Sequence, residues 1–198
     1  MISKKKTILI SFILFSITNI SNSNSIEPDV FIQSTVNRAS QVLSDNLTID
    51  KKIKELKSIA EETVDIEGIG MYTLGSYRKI LSEDQKQQYK VLFKEYFLKT
   101  FSSRLAEYSN PEIQVNSKEK LNNNYTMVSS VLVATEQRPK IAIDWRVYTK
   151  NPNNPKIRDL IIEGLSLART QKEEFSSIIK SNDDNIEVLF TNLKEFVK

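Results

Sequence analysis

The sequence predicts an α+β fold in which helices pack on one face of a curved antiparallel sheet. Through the first half of the chain, apolar residues recur at the three- and four-residue spacing of helices. Through much of the second half they alternate with polar residues, as strands do. The connections between the alternating stretches are too short for crossovers, which favours an antiparallel meander. A run of helices followed by a run of strands is typical of α+β proteins.

Three helical segments precede a longer helix. The apolar face of the first contains Ile32, Val36, Ala39 and Leu43. We expect Asp50 to cap the second, and the third to extend from Asp65 to Arg78. Ser82 followed three residues later by Gln85 has the spacing of a capping box. This motif predicts the start of the longest helix, over about residues 83–107.

The second half of the sequence has the patterns of strands and then of two closing helices. Strands are predicted around residues 113–115, 125–133, 141–148 and 157–163. The third of these has the cleanest alternation, with Ile141, Ile143, Trp145 and Val147 on one side. Asn and Pro residues at 151–155 predict a turn before the last strand. The C-terminal helices are predicted at about 165–181 and 185–196.

The N-terminus has the three parts of a secretory signal peptide. Lys4, Lys5 and Lys6 precede an apolar and hydroxyl-bearing stretch of 11 residues, and small polar residues follow at 21–25. Eleven residues are too few to cross a hydrocarbon layer of about 30 Å as a helix. We therefore interpret residues 1–23 as a signal peptide, cleaved after Ser23 or Ser25, and residues 24–198 as one domain. An uncleaved membrane anchor is the alternative interpretation.

Composition excludes several classes of function. The chain has no Cys and no His, which removes disulfide scaffolds, thiol catalysis, His-ligated metals and Ser-His-Asp triads. Removal of the signal peptide lowers Lys+Arg from 28 to 25, equal to the 25 Asp+Glu. A neutral mature chain lacks the basic patch that nucleic-acid binding requires, so we expect no nucleic-acid partner.

Two candidate chemical sites have structural alternatives. Ser166 follows Glu163-Gly164 at a strand-to-helix junction, but no His is present to activate it, and a helix N-cap is the favoured interpretation. Asp144 and Asp159 would form a carboxylate pair for acid–base catalysis if their strands are neighbours. The alternative for Asp144 is an ion pair with Arg146 or Arg158 across the sheet.

Four aromatic residues recur at helical spacing in the long helix: Phe93, Tyr96, Phe97 and Phe101. This aromatic stripe has two interpretations that the residues alone do not separate. Large side chains facing a concave sheet form either an ordinary filled core or the lining of a cavity for an apolar ligand. A small secreted enzyme that uses the Asp144 and Asp159 carboxylates, and a secreted adaptor with a dry core, are the competing functional hypotheses.

A series of short segments and single residues is significant in its order and spacing, and consists of Phe31-Ile32, Arg38-Ala39, Val42-Leu43, Asp65, Leu74-Gly75-Ser76-Tyr77-Arg78, Leu81-Ser82, Gln85, Tyr89, Phe93, Tyr96, Leu105, Tyr108, Ile143-Asp144-Trp145-Arg146-Val147, Lys156-Ile157, Asp159, Glu163-Gly164, Ser166-Leu167, Gln171 and Glu174-Phe175. By this series the mature chain resembles the MlaC family of periplasmic phospholipid-binding proteins, also known as toluene-tolerance auxiliary proteins. The resemblance extends from about Pro28 to Lys198, and Lys172 departs from the family pattern.

The resemblance implies a twisted antiparallel sheet wrapped by helices, similar to the NTF2-like arrangement, around an apolar pocket for lipid tails. It implies a monomeric carrier without catalytic activity, metal or cofactor, whose ligand is a bound phospholipid. The implied partners are an MCE-domain inner-membrane protein of an ABC transporter and an outer-membrane lipoprotein–porin complex. The implied location is the periplasm.

The predicted pocket lining takes the inward faces of the central strands and of the long helix. It consists of Phe93, Tyr96, Phe97, Phe101, Val131, Val133, Ile141, Ile143, Trp145, Val147, Ile161, Leu165 and Leu167.

Overall fold

The computed structural model describes residues 25–198. The predicted signal peptide, residues 1–23, lies outside the described residues. The described chain contains the helices α1 (Pro28–Ser44), α2 (Ile49–Thr63), α3 (Ile66–Thr73), α4 (Glu83–Ala106), α5 (Leu167–Lys180) and α6 (Ile186–Val197), and a short 3-10 turn at Tyr77–Lys79.

The structure confirms one of the two predicted helix caps and contradicts the other. The capping box is confirmed: the Ser82 hydroxyl accepts from the Gln85 N–H, and the Gln85 side chain accepts from the Ser82 N–H, at 3.2 and 3.1 Å. The predicted cap of α2 is wrong, because Thr48 occupies the N-cap and Asp50 lies in the first turn. There its negative charge faces the positive end of the helix dipole.

The third predicted helix is shorter than expected because the chain turns at Gly75. Helix α3 ends at Thr73, and Gly75 has a φ of +58°, in the left-handed region that favours glycine. Asp65 caps the start of α3 by accepting a hydrogen bond from the Gly68 N–H at 2.9 Å.

The strands form one antiparallel sheet in sequence order, as the meander prediction requires. They are β1 (Ile113–Lys120), β2 (Tyr125–Leu132), β3 (Ile141–Tyr148), β4 (Lys156–Ile162) and β5 (Leu165–Ser166). The two-residue β5 was not predicted. It follows a tight turn at Glu163 and Gly164, both at positive φ, so that α5 begins at Leu167 rather than at Leu165.

The pairing of the central strands defines the two faces of the sheet. We call the face that carries Ile141, Ile143, Trp145 and Val147 of β3 the inner face, and the opposite face the outer face. On the inner face, Val128 of β2 lies opposite Trp145, and Leu160 of β4 lies on its other side. Three neighbouring strands therefore present apolar side chains towards the helices.

Three of the helices approach the backbone of the sheet closely. Helix α1 lies against β1 and β2, and α3 and α5 lie against β4. The backbone of α4, the longest helix, packs against α2, α3 and α6 instead. Consequently the space between α4 and the central strands is spanned by side chains, which form one continuous apolar core.

The free edges of the sheet are short or polar. Strand β1 has an irregularity in its pairing between Val115 and Ser117, beyond which its residues are exposed. Lys118 forms ion pairs with Glu27 at 2.5 Å and Asp29 at 2.7 Å, which tie this end of β1 to the start of α1. At the other edge, β5 offers only two residues.

Burial of Tyr89 predicts a loss of stability at high pH. Its ring is fully buried, its hydroxyl lies 2.8 Å from that of Thr73, and burial raises the pKa of Tyr89 above the ordinary value of 10. The unfolded chain ionises this phenol more easily than the folded chain does. This contribution to stability is therefore complete below pH 10 and is lost as pH rises towards the raised pKa.

We expect the free energy of unfolding, measured in urea at pH 8 and pH 10.5, to fall less with pH in Tyr89→Phe than in the wild type. Tyr108→Phe supplies the control, because it removes the same hydroxyl from a ring at the surface. Identical pH profiles for Tyr89→Phe and the wild type would contradict the prediction.

Candidate functional site

The candidate site lies between α4 and the inner face of the sheet. Ile143, Trp145 and Val147 of β3 are buried, and they belong to the same apolar core as Phe93 of α4. The alternation of β3 directs all three towards the helices. The interior is thus built from α4 and β3, the two elements whose patterns are clearest in the sequence.

An aromatic row extends along α4 from the centre of the core towards the C-terminal end of the helix. Ring centroids are 5.8 Å apart for Tyr89 and Phe93, 6.3 Å for Phe93 and Phe97, and 5.5 Å for Phe97 and Phe101. Phe93 is 2% exposed, whereas Phe97, Phe101 and Ile141 of β3 are half-buried. The apolar interior therefore reaches towards the surface at this end, which we call the open end.

Two buried polar side chains of the sheet, Ser130 and Trp145, are hydrogen-bonded to each other in the interior. The Ser130 hydroxyl accepts a hydrogen bond from Trp145 Nε1 at 2.8 Å and donates to the Ile143 carbonyl oxygen at 3.0 Å. Both side chains are buried, so this pair satisfies two groups that would otherwise destabilise the core. Nearer the open end, the Tyr96 hydroxyl donates to Gln171 Oε1 at 2.8 Å and joins α4 to α5.

Eight of the thirteen predicted lining residues come together in this core. They are Phe93, Tyr96, Phe97, Phe101, Ile141, Ile143, Trp145 and Val147.

The predicted orientation of β2 is wrong. Val131 pairs with Ala142 on the outer face, and Val133 follows the end of the strand outside the core cluster. The inward positions of β2 are instead Thr126, Val128, Ser130 and Leu132. Two of these four are hydroxyl residues, so hydrophobicity alone gave no reason to choose them. The hydrogen bonds of Ser130 explain why a polar residue is accepted there.

The predicted orientation of Ile161 in β4 is also wrong. Ile161 pairs with Asp144 on the outer face, whereas Leu160 and Ile162 lie beside Trp145 and Ile143. A register shift between Arg146 and Val147 changes the alternation within β4, so that Ile157 also faces inward. A strict two-residue period cannot follow a strand through such a bulge.

The remaining two predicted lining residues lie at the surface. Leu165 is 58% exposed and Leu167 is 42% exposed. Leu165 pairs with Ile162 at the last position of the inner face, and Leu167 begins α5.

The residues that sequence reasoning missed include Val128, Leu132, Ile157 and Leu160. Pairing β2 and β4 with the clear pattern of β3 is the signal that identifies them.

Asp159 has a structural role that the paired-carboxylate hypothesis did not foresee. Its side chain is 3% exposed and accepts hydrogen bonds from the Ser166 hydroxyl at 2.6 Å and the Ala168 N–H at 3.0 Å. Ser166 also caps α5, as predicted, by accepting from the Arg169 N–H at 3.1 Å. The two oxygens of Asp159 thus hold β4, β5 and the start of α5 together.

The ion pairs expected for Asp144 are replaced by others. Arg146 Nη1 lies 3.4 Å from Asp159, across the β3–β4 pair. Arg158 Nε lies 2.5 Å from Asp65. The guanidinium of Arg158 lies 3.9 Å from the centroid of the Tyr148 ring. Arg158 therefore joins β4 to the start of α3.

Two open grooves lie on the surface of the described residues, with volumes of about 450 and 390 Å³. One follows α1 beside Gln33 and Arg38, the other follows α5 beside Lys172, and neither is lined by a predicted pocket residue. Residues 25–198 contain no group of acidic side chains arranged to hold a metal ion. No helix among them has the length and apolar character that crossing a membrane requires.

The fold and the interior define a class of protein: a helix-wrapped antiparallel sheet with an aromatic core that extends to the surface at one end. The model of the MlaC protein family matches residues 33–195, and the chain belongs to this family.

Two proteins are similar to this chain over most of its length. It is 25% identical to the intermembrane phospholipid transport system binding protein MlaC of Haemophilus influenzae, an alignment that covers 97% of this chain and 92% of that protein. A phospholipid-binding protein from Ralstonia solanacearum, solved in complex with a phospholipid, shares the fold with a TM-score of 0.73. That similarity covers 87% of this chain and 97% of the other at 21% identity.

The bonds of Asp159 predict that its carboxylate stabilises the fold. In Asp159→Asn a single amide oxygen cannot accept at both positions, and a buried donor loses its partner. We expect urea unfolding to show a loss of about 1–3 kcal/mol. Asp144→Asn, on the adjacent strand, is the matched control and should change stability by less than about 0.5 kcal/mol. Equal stability of Asp159→Asn and the wild type would refute this role.

Proposed function

We propose that this protein is a soluble periplasmic carrier that binds one diacyl phospholipid and moves it between the two membranes. The acyl chains occupy the interior between α4 and the inner face of the sheet. The headgroup lies towards solvent at the open end. Membership in the MlaC family and the names of the two similar proteins support this ligand.

The observation that carries the proposal is the construction of the interior. Helix α4 meets the central strands through side chains, whereas the close backbone contacts between helices and sheet are made by α1, α3 and α5. Separation of α4 from the central strands therefore breaks side-chain packing but no backbone hydrogen bonds. Apolar chains of a lipid replace that packing with contacts of the same kind.

Energetics explain why such a carrier needs no catalytic group. Two acyl chains contain about 30 methylenes, and burial of each is worth about 0.8 kcal/mol, a gross gain on the order of 24 kcal/mol. A bilayer offers a similar gain, so the net free energy of transfer is small. The barrier is high because chains that pass through water lose most of this stabilisation. Lipid therefore moves when a docked partner provides a continuous apolar path.

The partners that we propose follow from this requirement. At the inner membrane the carrier docks on an MCE-domain protein of an ABC transporter, and at the outer membrane on a lipoprotein–porin complex. The carrier acts as a monomer, with the interior of one chain enclosing the lipid. Residues 1–23 direct it to the periplasm and are removed.

Processing is tested by N-terminal sequencing of the protein recovered from a periplasmic extract. We expect a mature N-terminus at Asn24 or Ile26. The Ile26 N–H donates to the Pro152 carbonyl oxygen at 2.9 Å, a contact that either cleavage leaves in place. A retained Met1 on exported protein would contradict cleavage and favour the membrane-anchor alternative.

Lipid binding is tested by native mass spectrometry of the purified protein and by bound phosphorus per protein. We expect a co-purifying ligand of roughly 700 Da, the mass that about 30 methylenes and a phosphoglycerol headgroup imply. Ile141→Trp adds bulk at the half-buried open end and should lower bound phosphorus at least twofold without unfolding the protein. Ala142→Trp is the matched control, because Ala142 is exposed on the outer face.

The two variants separate a lipid site from an ordinary core. Equal phosphorus content in Ile141→Trp, Ala142→Trp and the wild type would show that the open end does not contact lipid. Absence of any phospholipid from the wild-type protein, and from protein incubated with phospholipid vesicles, would contradict the carrier function itself.

A further inference from the structure

One buried helical hydroxyl in the described residues differs from three other buried ones. Thr35, Thr63 and Ser102 each donate to the carbonyl oxygen four residues earlier, at 2.8, 2.7 and 2.6 Å. The hydroxyl oxygen of Thr100 in α4 is buried but makes no hydrogen bond to any group within residues 25–198. A buried polar atom without a partner is costly, and its presence calls for a physical reason.

Thr100 lies on the face of α4 that lines the candidate site. It follows Phe97 by three residues and Tyr96 by four, and it lies two turns beyond Phe93. Arg104, one turn further on, is exposed. Along this face of α4, the buried ring of Phe93 is followed by the unbonded hydroxyl of Thr100 and then by the exposed Arg104.

The Tyr96 hydroxyl, which donates to Gln171, lies close to the Thr100 hydroxyl, which slightly offsets the rise that burial causes in the pKa of Tyr96. The two oxygens nevertheless lack the geometry of a hydrogen bond, so the Thr100 hydroxyl has no partner within residues 25–198. The Thr100 hydroxyl is therefore free to donate to an additional group that enters the interior.

A second unpartnered polar atom lies at the same end of the molecule. Arg138 Nε is buried without a hydrogen-bond partner among the described residues. Its guanidinium lies 5.7 Å from the ring centroid of Tyr108, two residues after the end of α4. Both atoms are donors, and both lie towards the C-terminal end of α4, where the interior meets the surface.

We propose that the Thr100 hydroxyl donates a hydrogen bond to an ester carbonyl of the glycerol backbone of the bound lipid, which makes this protein selective for ester-linked over ether-linked diacyl lipids. The inference rests on the proposed carrier function. Between acyl chains near Phe93 and a headgroup near Arg104, the glycerol esters occupy the level of Thr100. An ester carbonyl is a good acceptor, whereas an ether-linked lipid has no carbonyl at this level.

The test is a competition between two phosphatidylglycerols with equal chain lengths, one with ester and one with ether linkages. Delipidated full-length protein is incubated with vesicles that contain both lipids in equal amounts, and native mass spectrometry gives the ratio of the bound species. Thr100→Val removes the hydroxyl and keeps the shape, whereas Thr100→Ser keeps the hydroxyl and is the matched control. Loss of one neutral hydrogen bond should lower the ester-to-ether ratio about three- to tenfold in Thr100→Val.

Three results are informative. A lowered ratio in Thr100→Val with a wild-type ratio in Thr100→Ser supports the proposal, as does a thermal midpoint of delipidated Thr100→Val at or above that of the wild type. An unchanged ratio in Thr100→Val overturns the selectivity while leaving the carrier function intact. Equal loss of both lipids in Thr100→Val also overturns it, because the contact is then with the phosphate or with the shape of the chains.

Discussion

The packing of Phe93 against Gly70 is the contact on which the arrangement of the helices depends. A Cβ at Gly70 would lie 2.7 Å from Cδ1 of Phe93, so only glycine allows α3 and α4 to approach this closely. The same ring meets Phe175 of α5 edge-on, with centroids 6.3 Å apart. One aromatic side chain therefore positions three helices. The inner face of the sheet closes the space that these helices leave below α4.

The sheet is fixed to these helices by polar contacts at its rim and by apolar ones in its middle. Asp159 holds the start of α5, and Arg158 joins β4 to Asp65 at the start of α3. In the middle, the bond between Trp145 and Ser130 sets the register of β2 against β3. The directional bonds between sheet and helices thus lie at the rim, and non-directional packing joins the sheet to α4 in the middle.

The extent to which sequence predicts this protein follows from how each pattern arises. The capping box at Ser82 and the alternation of β3 are local, and both were predicted correctly. The inward face of β2 depends on Ser130, whose partners lie on a different strand, so its local pattern is uninformative. The change of alternation in β4 comes from a bulge that exists only when β3 is paired with it. Long-range pairing, which no window of sequence contains, decides these positions.

The two free edges of the sheet have a consequence for behaviour at high concentration. An unpaired strand is a template on which another copy can add its own strand, and this process leads to fibres. Strand β1 resists it with a bulge and the exposed charges of Lys118, Glu119 and Lys120, and β5 is too short to nucleate pairing. Many copies can therefore crowd one compartment without polymerising through their sheets, even though every copy has an apolar interior that reaches the surface.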